Sequence, residues 1–353
     1  MTLALKNVVK RVGADTHIHD TSVELVTNQF NILLGTTLAG KTTLMQLMAG
    51  LEKPTSGEVW FDGKNVTGVP VQKRNVSYVH QQFINYPHFT VFENIASPLR
   101  VARISRGEIE QRVGRVAELL KLTPMLGRNP SELSGGQQQR TALARALVKD
   151  ADVVLLDEPL ANLDYKLREE LRDELPKLFQ DRECTVVYAT TEPIEALLLG
   201  GYCATVHEGR ITQFGETAKV YRRPFDLLTA QVFSDPPINI AEVTLSDGRF
   251  ALNDQVGWAT ARANLTDGSY RMAVRPHFVT LEPSSDDAIK LEGQVLVAEL
   301  SGSESVVHFE VDGLSWVSQS PGIHAIEVGK TTEFYLDKTQ CLYFGENDQL
   351  MAA

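Results

Sequence analysis

Residues 35–42 read Gly35-Thr36-Thr37-Leu38-Ala39-Gly40-Lys41-Thr42, a glycine-rich turn closed by a lysine and a hydroxyl. At the spacing G-x-x-x-x-G-K-[ST], backbone N–H groups cradle phosphates and the lysine adds a positive point charge. The Thr42 hydroxyl, with Thr43 beside it, stands where a nucleotide's Mg²⁺ ion is held. A second group, Val153-Val154-Leu155-Leu156-Asp157-Glu158-Pro159, sets two carboxylates behind four apolar residues. Asp157 suits the Mg²⁺ shell, and Glu158 suits polarisation of an attacking water. The chemistry implied is phosphoryl transfer to water.

A third group is Leu133-Ser134-Gly135-Gly136-Gln137-Gln138-Gln139-Arg140. A Ser-Gly-Gly turn that opens a helix makes another anion-binding N-terminus, one with no evident use inside its own chain.

These groups need a scaffold. Phe30-Asn31-Ile32-Leu33-Leu34 reads as a buried strand before the first turn, and residues 41–50 as a helix with Gly50 as its C-cap. Strands at 153–156 and 185–188 flank an amphipathic helix over 164–179, a βαβ crossover that makes a parallel sheet. Ligands of such sheets bind at the C-terminal ends of the strands, where both carboxylates emerge. Residues 93–128 are helix-rich, with Ile109, Val113, Val116, Leu119 and Leu120 near the 3.6 period. Short strands are expected at residues 3–5, 17–19 and 23–26.

Length sets the number of domains. A chain of 353 residues is long for one domain and short for three. Charge is uneven: residues 236–353 hold 7 basic and 17 acidic residues, although the whole chain nets only −11. Beyond Ser234-Asp235-Pro236-Pro237 come short alternating runs with Asp-Gly turns at 247–248, 267–268 and 312–313. That texture predicts a small all-β barrel after residue 235. Its acidity argues against nucleic acid as a partner.

No run reaches the roughly 18–20 apolar residues of a membrane-spanning helix. The N-terminus lacks the charged head and apolar core of a signal peptide. Cys184, Cys203 and Cys341 are far apart and odd in number, which fits reduced thiols and no CxxC site. The chain is therefore expected neither to span a membrane nor to be exported by a signal peptide.

The three motifs in this order resemble an ABC-transporter ATPase, and the resemblance covers nearly the whole chain. It implies a P-loop α/β domain at 1–235 with a helical subdomain near 86–150, then an OB-type regulatory barrel at 236–353. It also implies ATP and Mg²⁺ as ligands. Two ATPase domains would dimerise head to tail, so that Ser134, Gly135, Gly136 and Gln137 contact ATP held by the opposite subunit. Gln81 falls at the metal- and water-sensing position, and Asp164 closes the loop Leu160-Ala161-Asn162-Leu163-Asp164 that meets the partner. The segment from Tyr86 to Ile95 looks like the approach to the helical subdomain that docks on permeases. Pro236-Pro237-Ile238-Asn239 and Val274-Arg275-Pro276-His277 look like the regulatory domain of maltose-type and glycerol-phosphate-type sugar importers. Two membrane permeases and an extracytoplasmic binding protein are the implied partners.

Three positions depart from the family pattern. Thr191 stands where the family keeps a γ-phosphate histidine, and Glu192 follows in place of aspartate. Thr191 can hydrogen-bond a phosphate but carries no charge; loss of such a group costs on the order of 10²–10⁴ in rate. Val12 falls where an aromatic residue meets adenine, forfeiting about 1–3 kcal/mol of stacking. Leu38 replaces a glycine, and at positive φ a leucine costs about 1–2 kcal/mol. All three lie on the chain's own half of the ATP sandwich. The expected assembly is therefore a heterodimer of unlike ATPases in which this chain's own site is weakened. The pairing is similar to that of the bacterial glycerol importer. Other readings are a homodimeric sugar-importer ATPase, a non-hydrolysing subunit that clamps a catalytic partner, and a soluble ABC protein acting on DNA or ribosomes.

Overall fold

Strands that are apolar on both faces must be covered on both faces, and three such strands organise the first part of the chain. In the computed structural model, residues 2–161, 163–180, 183–260 and 265–353 are described. The chain divides into two units, Met1–Ala218 and Lys219–Ala353.

The first unit opens with β1 (Leu3–Val12) and β2 (Asp15–Glu24), paired antiparallel. The alternation at His17-Ile18-His19 and the apolar residue Val23 fall in this one long second strand, not in two short ones. Next come β3 (Phe30–Leu34), α1 (Lys41–Ala49), β4 (Ser56–Phe61), β5 (Lys64–Asn65) and β6 (Val76–Val79). Helices α2 (Val91–Val101), α3 (Arg106–Leu119) and α4 (Gly135–Leu147) follow. The unit continues through β7 (Val153–Asp157), α5 (Tyr165–Gln180), β8 (Thr185–Thr190), α6 (Pro193–Leu199), β9 (Tyr202–His207) and β10 (Arg210–Glu216).

The central sheet runs β10-β9-β3-β8-β7-β6. Strands β9, β3, β8, β7 and β6 are parallel, with β10 added antiparallel at one edge. Every residue of β3, β7 and β8 is buried, as their continuous apolar sequences require. The smaller antiparallel sheet runs β2-β1-β4-β5. Between the sheets, α1 buries Leu44, Met45, Leu47 and Met48 in a core shared with Leu33, Leu155 and Val187. The helix stops where expected: Gly50 adopts φ 78°, and its N–H donates to the Gln46 and Leu47 carbonyls.

The second unit begins earlier than the Pro236 boundary read from the turn-rich sequence. The reason is local packing of residues 221–232. The Arg275 guanidinium stacks on the Tyr221 ring, 3.7 Å from its centroid, and donates to the Tyr221 carbonyl at 2.6 Å. The Leu227 N–H, at the start of the short helix Leu227–Val232, donates to the Asp348 carbonyl.

Among the described residues, eleven strands follow in this unit. They are β11 (Asn239–Ser246), β12 (Arg249–Ala251), β13 (Gly257–Ala259), β14 (Gly268–Val274), β15 (Val279–Thr280) and β16 (Ile289–Leu300). The others are β17 (Glu304–Val311), β18 (Leu314–Pro321), β19 (Thr331–Leu336), β20 (Leu342–Phe344) and β21 (Leu350–Ala352). Two antiparallel sheets, β13-β12-β11-β14-β20-β21 and β15-β19-β16-β17-β18, enclose one core as a nearly closed barrel of the OB type. Phe309 stacks on Phe334 at 3.6 Å between centroids, and Phe250 on Tyr343 at 4.3 Å. Asp247-Gly248 and Asp312-Gly313 turn hairpins with both residues at positive φ. Asp267-Gly268 does not make such a turn; Gly268 is the first residue of β14.

All three cysteines are buried and none is in a disulfide. Among the described residues, no helix is long and apolar enough to cross a membrane.

Candidate nucleotide-binding site

The turn after β3 has a shape that its residues dictate. A side chain on Gly35 would meet the Val206 carbonyl oxygen at 2.3 Å, so only glycine fits. Gly40 caps α1 at φ 105°, and a Cβ there would stand 3.0 Å from Ile18 Cδ1. The intervening Leu38 takes φ 65° with its side chain 97% exposed. The backbone strain expected of leucine is therefore present, with no burial to offset it.

Lys41 is buried at the first position of α1. Its Nζ donates to the carbonyls of Gly35 at 2.9 Å and Thr36 at 3.0 Å. The same Nζ lies 3.3 Å from Glu158 Oε1. Burial pulls the Lys41 ammonium below its ordinary value, against the pull of Glu158. On the other oxygen, Glu158 Oε2 accepts from Gln81 Nε2 at 2.9 Å. The three predicted residues thus form one chain, Lys41–Glu158–Gln81.

Glu158 itself sits at φ 47°, a left-handed conformation that no sequence pattern announces. Its N–H is held by the Ala189 carbonyl at 3.0 Å, which fixes the carboxylate just beyond the end of β7.

Asp157 is buried at the end of β7. Its Oδ1 accepts from Thr42 Oγ1 at 3.2 Å and its Oδ2 from Tyr78 Oη at 3.1 Å. Burial raises the Asp157 carboxyl above its usual range, and these two hydrogen bonds oppose the rise. Tyr78 was not anticipated from sequence; the tyrosine of a half-buried strand adjoining β7 was its only signal.

An open cavity of about 510 Å³ lies over this arrangement. Thr37, Leu38, Ala39, Gly40, Lys41, Thr42 and Thr43 line it together with Gln81 and Glu158. So do Thr16, His17, His19, Glu208 and Gly209, which sequence reasoning missed. The period of two in β2 puts both histidines on the face opposite the buried Ile18, a signal that was available. Gly35, Thr36 and Asp157 support the cavity from behind without lining it.

Other predicted residues stand apart from this cavity. Val12 is half exposed near the end of β1. Thr191 is exposed directly after β8. Ser134, Gly135, Gly136 and Gln137 open α4 with a reciprocal capping box. Ser134 Oγ accepts from the Gln137 N–H at 3.4 Å, and Gln137 Oε1 accepts from the Ser134 N–H at 3.0 Å. Asp164 Oδ1 caps α5 by accepting from the Leu167 N–H at 3.0 Å. Asn162, in the same loop, lies outside the described residues.

A buried ionic network backs the Thr191 segment. Arg172 Nη2 donates to Glu192 Oε2 at 2.6 Å and Glu195 Oε1 at 3.2 Å. Glu195 Oε2 accepts from Thr190 Oγ1 at 2.6 Å and Tyr188 Oη at 3.1 Å. Arg168 Nη1 donates to Glu192 Oε1 at 2.9 Å, and its Nη2 to the Ala161 carbonyl at 3.2 Å.

Comparison with known proteins shows the family. Residues 18–161 match the model of the ABC transporter family. The alpha-glucoside transport ATP-binding protein AglK of Rhizobium meliloti is 34% identical over 357 residues, 98% of each chain. The chain belongs to the ABC transporter ATP-binding proteins. The trehalose/maltose import ATP-binding protein MalK of Thermococcus litoralis is also 34% identical, over 94% of each chain. A solved relative of this ABC ATPase is the cassette MJ0796 in a dimeric post-hydrolysis state bound to ADP and Pi. It superposes with a TM-score of 0.56 at 28% identity, covering 61% of this chain and 98% of that one. The ABC ATPase therefore binds and hydrolyses ATP.

The donors present fit a magnesium ion. Thr42 Oγ1 and Asp157 Oδ1 are hard oxygens already converged at 3.2 Å. Among the described residues no group of three or more His, Cys, Asp or Glu side chains is placed to hold a metal ion. That suits an ion held by one carboxylate, one hydroxyl and substrate phosphates.

Proposed function

We propose that this chain is the weaker ATPase of an unlike pair that powers import of a sugar or polyol, with glycerol as cargo. The observation that carries the reading is the contrast between its two half-sites. The half offered to a partner, Ser134 to Gln137, has its helix start capped and ready. The half that would hold its own ATP has strained Leu38, uncharged Thr191, and Val12 outside the cavity.

In its own site, Lys41 would leave its carbonyl acceptors to pair with the β- and γ-phosphates. Glu158, oriented by Gln81, would accept a proton from the attacking water. Thr42 and Asp157 would hold Mg²⁺, with Gln81 within reach through Glu158. When bound, the ion neutralises developing charge on the phosphates. Asp164 would meet the partner subunit.

Sugar import is supported by the names of the full-length relatives, which include alpha-glucoside and trehalose/maltose import proteins. Permease docking is supported by an open cleft beside α2, lined by Tyr86, Phe89 and the exposed Val101. The chain would then lie on the cytoplasmic face of the membrane, with two permeases and, through them, an extracytoplasmic binding protein. Glycerol rests on overall resemblance, because the cargo passes through other subunits.

The test is the assembled transporter. Glu158→Gln here is expected to slow ATP turnover much less than the matching change in the partner. Equal losses, or recovery of a single kind of ATPase subunit, would overturn the asymmetry. Uptake of labelled maltose in preference to glycerol would overturn the cargo.

A further inference from the structure

The cavity after β3 has two ends, and the order of the central sheet distinguishes them. In the order β10-β9-β3-β8-β7-β6, the turn after β3 has β9 on one side and β8, β7 and β6 on the other. Glu158 follows β7 and Gln81 follows β6, so the water-activating groups approach from the second side. A terminal phosphate belongs there.

The first side is closed by the turn Glu208-Gly209 between β9 and β10. The His19 N–H donates to the Gly209 carbonyl at 2.9 Å, and the Gly209 N–H donates to the Ala39 carbonyl at 2.8 Å. Strand β2 is thereby fastened to the phosphate turn. A nucleotide whose phosphates lie over the start of α1 then carries its sugar and base toward β2. The exposed Glu208 carboxylate on this rim repels phosphate, which favours the same direction.

Two rings of β2 line this end. His19 Nδ1 lies 3.1 Å from Arg210 Nη2. A guanidinium only donates, so Nδ1 accepts and this edge of the His19 ring is engaged. His17 is exposed, and among the described residues no hydrogen bond or ion pair holds its ring. Val12 pairs with Asp15 at the end of the β1–β2 ladder and does not line the cavity.

We propose that the base of the bound nucleotide stacks on the imidazole of His17. The ring face comes from β2 instead of from the end of β1, where Val12 has none to offer. Stacking of this kind uses the flat face that every base presents and needs no fixed polar partner. The proposal rests on the reading of this cavity as the ATP site. It is independent of the unlike partner and of the cargo.

Calorimetric titration of the full chain with ADP and with inorganic triphosphate separates base contacts from phosphate contacts. His17→Ala should weaken ADP binding about tenfold and leave triphosphate binding within about twofold. His17→Trp should bind ADP at least as tightly as the parent, because a larger ring replaces the imidazole. The loss from His17→Ala should also exceed that from Val12→Ala. Lys41→Ala tests the cavity reading separately and should weaken both probes. If Lys41→Ala changes neither, the cavity is not the nucleotide site and the proposal falls with that reading. If Lys41→Ala weakens both while His17→Ala leaves ADP unchanged, or weakens both probes equally, the site reading stands and His17 is not the base contact.

Discussion

Arg168 Nη1 lies 2.9 Å from Glu192 Oε1 while its Nη2 holds the Ala161 carbonyl. One guanidinium therefore joins the segment after β8, which carries Thr191, to the loop before α5, which ends in Asp164. The second oxygen of Glu192 is taken by Arg172. The segment is thereby anchored to α5.

If that anchor transmits partner contact to the γ-phosphate region, Arg168→Met should slow ATP turnover of the assembled transporter about tenfold. The KM for ATP should stay within about twofold, because no residue lining the cavity is touched. Lys at this position should restore little, since it cannot bridge two acceptors in a planar fork. Steady-state ATPase assays at varied ATP decide the point: a change confined to KM would contradict it.

Leu38 bears strain that glycine would not. Leu38→Gly removes a left-handed leucine costing about 1–2 kcal/mol but adds unfolded-chain entropy worth about 0.4–1 kcal/mol. The side chain is 97% exposed, so no packing is lost. A net gain of about 0.5–1 kcal/mol is expected from urea unfolding, together with tighter ATP binding. A loss of stability would show that the exposed leucine is held by something else.

Several site residues could be read directly from sequence, and the reason is physical. A phosphate-binding turn is made by consecutive residues, so Gly35 to Thr43 announce themselves. Asp157 and Glu158 are equally local, at the end of an unmistakable buried strand. His17 and His19 on β2, and Glu208 and Gly209 in the turn between β9 and β10, come to the same cavity from elsewhere, and their convergence depends on sheet order rather than spacing. The division at Lys219 falls before the Pro236 punctuation for a similar reason. Pro236-Pro237 is strong local punctuation, whereas the Arg275–Tyr221 stack joins residues far apart in sequence.

Tyr78 is expected to position Asp157 for the metal. Tyr78→Phe deletes the 3.1 Å hydrogen bond to Asp157 Oδ2 and nothing else polar. The Mg²⁺ concentration giving half-maximal ATPase should rise about tenfold or more, with little change in maximal rate at saturating metal. An unchanged Mg²⁺ requirement would leave Tyr78 a packing residue.

The second unit should weaken in mild acid. His277, exposed but crowded against Phe278 and near Arg275, has its pKa lowered below the ordinary 6.5, first by partial loss of solvation and then by Arg275. A lowered histidine is neutral in the fold, so the unfolded chain binds the proton more readily. Stability from this group is fully present above the unfolded pKa and falls as pH drops through 6.5 toward the lowered value. His277→Gln should flatten that part of the curve in thermal unfolding between about pH 7 and 5. A variant as acid-sensitive as the parent would exclude His277 as the source.

Burial of Cys184, Cys203 and Cys341 makes this protein a convenient host for site-directed probes. Alkylating and fluorescent reagents need an accessible thiolate, and burial pushes the Cys203 thiol well above its usual range. A single cysteine introduced at an exposed position such as Tyr165 should be labelled with little background, without first deleting native thiols. Distances between two ATPase subunits can then be followed through a turnover cycle in the otherwise natural chain.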